Sequence, residues 1–155
     1  MKQISLIMLL TISMLFISLS GNAQSRTYST SGTFTVPAGV TSVDAQAWGG
    51  GGKGSTRTTN GNGGGGGGGA YAASTVVVNA LSAPYTVTVG SGSSSTAPGA
   101  DSWFFTTGTV LAKGGLSVAD NVDTGAAGGL ASASVGTTIF NGGNGDTGEG
   151  NYGGG

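Results

Sequence analysis

Oxygen ligands crowd together at two places in this sequence. Asp120-Asn121-Val122-Asp123 sets two carboxylates beside an amide, and Asn144-Gly145-Asp146-Thr147-Gly148-Glu149 does the same over a slightly longer stretch. Loop carboxylates and amides suit calcium, a hard cation that takes about six to eight oxygen ligands. Asp120, Asn121, Asp123, Asn144, Asp146 and Glu149 are therefore candidate ligands for a weak calcium site. Two carboxylates can also act as acid and base on a glycosidic bond, if a cleft fixes their separation and aromatic rings seat the sugar. Nothing in the pattern builds such a cleft. Lys53 stands in Gly51-Gly52-Lys53-Gly54-Ser55, but a phosphate-cradling loop needs Lys followed directly by Ser or Thr at a helix start. Gly54 intervenes and no helical pattern follows, so a solvated loop lysine is the simpler reading. The chain has no His and no Cys, which removes Cys–His and Ser–His–Asp nucleophiles and the usual zinc ligand sets. No catalytic residue and no cofactor is expected, calcium aside.

The aromatic residues are the other side chains with contact chemistry. Trp48, Tyr71, Tyr85, Trp103, Phe104 and Phe105 supply most of the apolar mass. Core packing and cover for neighbouring glycines is the ordinary role of each. Trp103, Phe104 and Phe105 are consecutive, however, and a strand points alternate side chains to opposite faces. One of them is expected outside, where it could touch a surface glycan or a protein partner.

The elements that must position these residues are strands. Residues 28–36 and 41–48 alternate polar and apolar around Pro37-Ala38-Gly39-Val40, which reads as a hairpin. On its second arm Val43, Ala45 and Ala47 share the face expected to be covered, and Trp48 is expected to lie over the glycines after it. Residues 71–79 and 85–89 are further strands. Residues 90–99 read as a flexible loop by composition. A second hairpin is expected over residues 102–112, and a last strand or two over residues 130–140. No helical periodicity appears after residue 23, so the fold class is all-β, a small sandwich-like domain.

Glycine interrupts this pattern about three times, most densely at Gly63, Gly64, Gly65, Gly66, Gly67, Gly68 and Gly69. Of 155 residues 34 are Gly, and 7% are charged against about 25% in an average protein. Glycine gives up the most backbone freedom on folding and buries no side chain. One reading is therefore a flexible tether. The other is a set of threefold extended helices, polyglycine II-like, whose bare backbones pack side by side and bond to one another. The second is favoured, because the runs lie between strands that must pair and are walled by Trp48 and by Ala70-Tyr71.

Residues 1–23 read as a secretory signal helix: Lys2, an apolar stretch over residues 4–19, then Gly21-Asn22-Ala23 as a small-residue cleavage site. The expected organisation is a signal peptide over 1–23 and one glycine-rich β domain over 24–155, truncated within its final glycine tract. Export of a Cys-free chain implies a fold without disulfides. A net charge of −1 without basic clusters argues against nucleic acid as a partner, and membrane contact is expected only through export.

The stretch from Phe34 to about Gly92, with FTVPAGVTSV, a Trp-Gly step into glycine runs and YTVTVGSG, resembles the glycine-rich domain of bacterial secreted proteins and phage tail proteins. More distantly it is similar to phage tail-tip adhesins built on packed polyglycine helices. Residues 142–146 also resemble one calcium-binding nonapeptide repeat, with the Asp one place early. The resemblance implies a non-enzymatic secreted or cell-surface protein, acting in adhesion or recognition or as an extracellular structural module. The alternative is a self-assembling component whose glycine tracts stack between chains, with ice- or crystal-surface binding a weaker third.

Overall fold

The computed structural model describes residues 24–82, 84–150 and 154. The signal helix expected over residues 1–23, and the truncation expected at the end of the chain, lie outside the described residues. Among the described residues seven strands form: β1 (Gly32–Phe34), β2 (Ser42–Trp48), β3 (Tyr71–Val77), β4 (Tyr85–Thr88), β5 (Ser102–Phe104), β6 (Val110–Ala112) and β7 (Thr138–Phe140). They make two antiparallel sheets, one ordered β1-β4-β5-β6 and the other β2-β3-β7. The sheets face one another, with β2 against β5 and β6 and β3 against β6. The fold is all-β, as the alternating pattern predicts.

The first expected hairpin does not form. β1 pairs with β4, from Gly32 opposite Val87 to Phe34 opposite Tyr85, while β2 pairs with β3. The Pro37–Val40 turn, closed by a Val40 N–H bond to the Pro37 carbonyl, carries the chain from one sheet to the other. The apolar faces of β1 and β2 then meet across the sandwich: Val36, Val78 and Tyr85 are buried with Phe34, Val40 and Val43 packed on them. Alternation tells which face of a strand is buried but not which neighbour it bonds. The second hairpin forms as expected, with Ser102 opposite Ala112 and Phe104 opposite Val110. Of the last expected stretch, residues 138–140 form β7, and Val135 adds a single bridge to Leu111.

The buried side chains shrink along the sandwich. At one end lie Val36, Val78 and Tyr85 with their aromatic neighbours. Nearer the glycine tracts the core is Ala47, Ala72, Val110 and Ala112. Beyond Trp48 and before Tyr71 the chain is mostly glycine, and past Thr88 and Ala112 glycine recurs among mostly small residues, so that backbone replaces side chains between the layers. Packed sheets stand about 10 Å apart because side chains fill the gap. Here the filler tapers from large through Ala to none, so the two layers converge until backbone meets backbone.

Four of the five ladders, all but β1–β4, run on into the glycine tracts without losing register. Trp48 faces Tyr71, and beyond them Gly49 donates to Ala70 (2.9 Å), Gly52 to Gly67 (2.7 Å) and Ser55 to Gly64 (2.8 Å). Tyr71 faces Phe140, and the pairing continues as Gly68 to Gly143 and Gly65 to Asp146, both 2.8 Å. β4–β5 extends through Ala100 to Ser91, and β5–β6 through Gly99 to Gly115. The bonds now recur every third residue. That is the period of the polyproline II class of helix, which has three lateral faces where a strand has two edges. Of residues 90–99, expected to be a flexible loop, the two ends belong to this lattice, with Ser91 accepting from Ala100, Ser93 donating to Gly51 and Gly99 to Gly115, while residues 94–97 form an exposed bend.

Candidate functional site

The glycine lattice is built around residues 63–70. Four other tracts bond to it: residues 49–56, 113–122, 123–129 and 142–148. At Gly67 the N–H donates to Leu116 (2.9 Å) and the carbonyl accepts from Gly52 (2.7 Å). At Gly68 the N–H donates to Gly143 and the carbonyl accepts from Gly129; at Gly65 the corresponding partners are Asp146 and Ala126. Gly64 donates to Val122 and accepts from Ser55. A helix with no internal bonds thus satisfies its buried backbone through its neighbours.

Close approach, rather than an unusual dihedral, is what demands glycine here. The described glycines with positive φ are Gly39, Gly61 and Gly150, all outside the run. A Cβ on Gly67 would stand 2.0 Å from the Ala127 oxygen, on Gly69 1.9 Å from that of Gly49, on Gly66 2.2 Å from that of Gly52 and on Gly64 2.2 Å from that of Thr124. Gly63 and Gly68 are less extreme, with nearest atoms at 3.1 and 3.3 Å. Neighbouring tracts repeat the arrangement: Gly142 would meet Gly68, Gly145 would meet Gly65 and Gly128 would meet Gly142. The glycines of the bundle offer no side chain to a ligand. Its contribution is a stiff backbone scaffold.

At the end of the bundle away from the sandwich, the side chains of Asp120 and Asn121 serve as clamps. The Asp120 carboxylate pairs with the Lys53 ammonium and accepts the Thr56 N–H (3.1 Å). The Lys53 hydrogen bond, and then that from Thr56, hold its carboxyl below the ordinary value of 3.8. Asn121 takes a left-handed backbone (φ 62°), and its Oδ1 accepts the Thr58 N–H at 2.9 Å. Asparagine tolerates that conformation better than other side chains. Asp123 accepts Gly148, and Asp146 accepts Gly65, through backbone oxygens. Asn144 Oδ1 accepts the Gly128 N–H. Glu149 is exposed. The bundle therefore brings the two acidic stretches side by side. Among the described residues, no group of three or more His, Cys, Asp or Glu side chains is placed to hold a metal ion.

The three consecutive aromatics part company. Phe104 points inward, stacked on Tyr85 at 5.7 Å and edge-on to Phe34 at 6.0 Å. Trp103 is half-buried on the other face of its sheet, opposite Leu111 and Thr88. Phe105 leaves the strand at φ 64° and is exposed, tilted on Tyr85 at 4.8 Å. Only Phe105 offers much ring to solvent.

A larger aromatic surface stands elsewhere. Trp48 closes β2 just before the glycines. It sits 62% exposed on the outer face of the three-stranded sheet, 5.1 Å from Tyr71. Tyr71 in turn stacks on Phe140, which is also 62% exposed, at 6.0 Å. The three rings are cross-strand neighbours on β2, β3 and β7, so they form a row across the sheet. Asp44 and Thr75 share that face, joined by a 2.6 Å hydrogen bond, and Gln46 lies exposed between them and Trp48. The signal for Trp48 was present in the alternation of β2, which sets it with Asp44 and Gln46 opposite the Val43 face. Phe140 carries no such signal, because β7 is exposed throughout.

No curated protein and no solved structure matches the chain. A family model does, and over nearly its whole length: residues 26–155 match the glycine-rich domain, and the chain belongs to that family.

Proposed function

We propose that this protein is a non-catalytic recognition module, exported to the cell surface or beyond, which contacts a glycan through the row Trp48–Tyr71–Phe140. The row is the observation that carries the reading. Large exposed rings in a contiguous patch are unusual on a chain that need not bind anything. Aromatic faces suit the C–H surfaces of sugars, and Gln46, Asp44 and Thr75 lie on the same face to bond hydroxyls. The hydrogen-bonded glycine bundle continues the same strands, so the patch rests on a stiff support that loses little freedom when it binds. Export is supported by the leader-like residues 1–23.

The test is a glycan array probed with protein expressed from the full 155-residue sequence, beside Trp48→Ala and Phe140→Ala variants. Binding that weakens about tenfold or more in both variants is the expected result, since each removes one ring from the contact. Binding that both variants retain at full strength would overturn the assignment to this row. Absence of any glycan binding, with concentration-dependent fibres instead, would favour the self-assembling alternative. Intact mass of the recovered protein tests export directly, the expected product having lost residues 1–23.

A further inference from the structure

The sequence contains four Asn-Gly pairs: Asn60-Gly61, Asn62-Gly63, Asn141-Gly142 and Asn144-Gly145. Asn followed by Gly is chemically labile, because glycine leaves the next backbone nitrogen sterically open to the Asn side chain. Reaction needs both partners free: the following N–H must lose its proton and the side-chain amide must swing onto that nitrogen. The fold sorts the pairs by this requirement. Gly142 N–H is bonded to Gly129 and Gly145 N–H to Ala126, both at 2.9 Å. Their asparagines are held as well, with Asn141 Oδ1 accepting Ala131 N–H (2.7 Å) and Asn144 Oδ1 accepting Gly128 N–H (2.9 Å). Gly63 is buried, and a Cβ there would stand 3.1 Å from the Ser55 oxygen.

Asn60-Gly61 differs. The register that runs from β2–β3 through Gly52–Gly67 and Ser55–Gly64 closes at Thr59 and Asn60, the tip of the long hairpin. Asn60 and Gly61 are exposed. Gly61 adopts φ 137°, and among the described residues its N–H and the Asn60 side chain have no hydrogen-bond partner. The Arg57 guanidinium lies over this peptide. It donates to the Asn60 carbonyl oxygen (3.2 Å), and its Nη2 is 2.3 Å from where a Gly61 Cβ would be. A fixed cation beside a nitrogen that must become anionic favours loss of its proton.

We propose that Asn60 is a site of spontaneous deamidation. The deprotonated Gly61 nitrogen attacks Asn60 Cγ, a C–N bond closes a five-membered imide, and the Cγ–Nδ2 bond breaks with release of ammonia. One water then opens the imide at either carbonyl, leaving aspartate or isoaspartate at position 60. Overall one water is consumed and one ammonia released, with no oxidant, reductant or enzyme required. The product carries a new carboxylate beside Arg57, and the isoaspartate form adds a backbone carbon to the hairpin tip. The bundle behind it is unaltered.

The experiment ages protein expressed from the full sequence in warm, mildly alkaline buffer, folded or in guanidinium chloride, with peptide mapping that distinguishes Asn60 from Asn62. In the folded protein Asn60 converts at least about tenfold faster than Asn62, Asn141 or Asn144, because each of those must first break native contacts. In denaturant that preference collapses. Folded conversion of Asn60 no faster than that of Asn141 and Asn144, or conversion led by Asn62, would overturn the proposal. An Arg57→Gln variant slows Asn60 in the folded state only; an equal or higher folded rate would overturn the part given to the guanidinium.

Discussion

Gly67 and Gly143 show how differently two glycines of one lattice can be constrained. Gly67 is buried, and a Cβ there would sit 2.0 Å from the backbone oxygen of Ala127. No side chain can rotate away to relieve that contact; two tracts would have to separate and stretch the bonds to Leu116 and Gly52. Gly143 is exposed, and a Cβ on it meets nothing within 4 Å. Gly67→Ala is therefore expected to destabilise by about 3 kcal/mol, the upper part of the usual overpacking range. Gly143→Ala should stay within about 0.5 kcal/mol, or stabilise slightly by stiffening the unfolded chain. Urea denaturation of the two variants checks this. Equal losses at both positions would mean that intrinsic backbone freedom, and not close packing, sets the demand for glycine.

At the scale of elements, the taper from Tyr and Val through Ala to Gly determines where the sheets converge. Ala72 is fully buried, packed with Ala47, Val110 and Ala112 just before the first backbone bond between the layers, from Ala70 to Lys113. Ala72→Leu forces the layers apart at that point and is expected to cost about 1–3 kcal/mol. Val77→Ala, on the same strand but 82% exposed, should change stability by less than about 0.5 kcal/mol. Thermal melts of the pair test the taper, and an Ala72→Leu variant as stable as wild type would remove it as the reason for convergence. Much of this level is legible beforehand. Val43, Ala45 and Ala47 announce the covered face of β2, and the glycine runs between strands announce backbone packing. Pairing is not legible. Phe34 and Val36 mark β1 as amphipathic, yet equally well suit a hairpin with β2 or the observed pairing with β4, because alternation specifies a face and not a partner. The row Trp48–Tyr71–Phe140 escapes for the same reason, since it exists only once β2, β3 and β7 are set side by side.

Across the whole molecule, the sandwich and the glycine bundle are two stretches of the same hydrogen-bonded ladders. β2–β3, β3–β7, β4–β5 and β5–β6 each pass into glycine pairs with no break in register. A boundary between separately folding units would need a place where few bonds cross, and no such place exists among the described residues. The bundle has few buried apolar side chains of its own, Val118 among them, so most of its order must be inherited from the tapered core. Melting should consequently be a single event. Trp48 and Trp103 report on the sandwich through their fluorescence, while exchange at the Gly65, Gly67 and Gly68 amides reports on the centre of the bundle. The fluorescence midpoint in denaturant and the loss of glycine amide protection are expected to coincide. The Gly67→Ala change, remote from both tryptophans in sequence, is expected to lower the two midpoints equally. Amides at Gly65, Gly67 and Gly68 that exchange freely while the tryptophan signal is still native would show the opposite: a stable sandwich carrying a loosely held glycine extension, and no stiff support beneath Trp48, Tyr71 and Phe140.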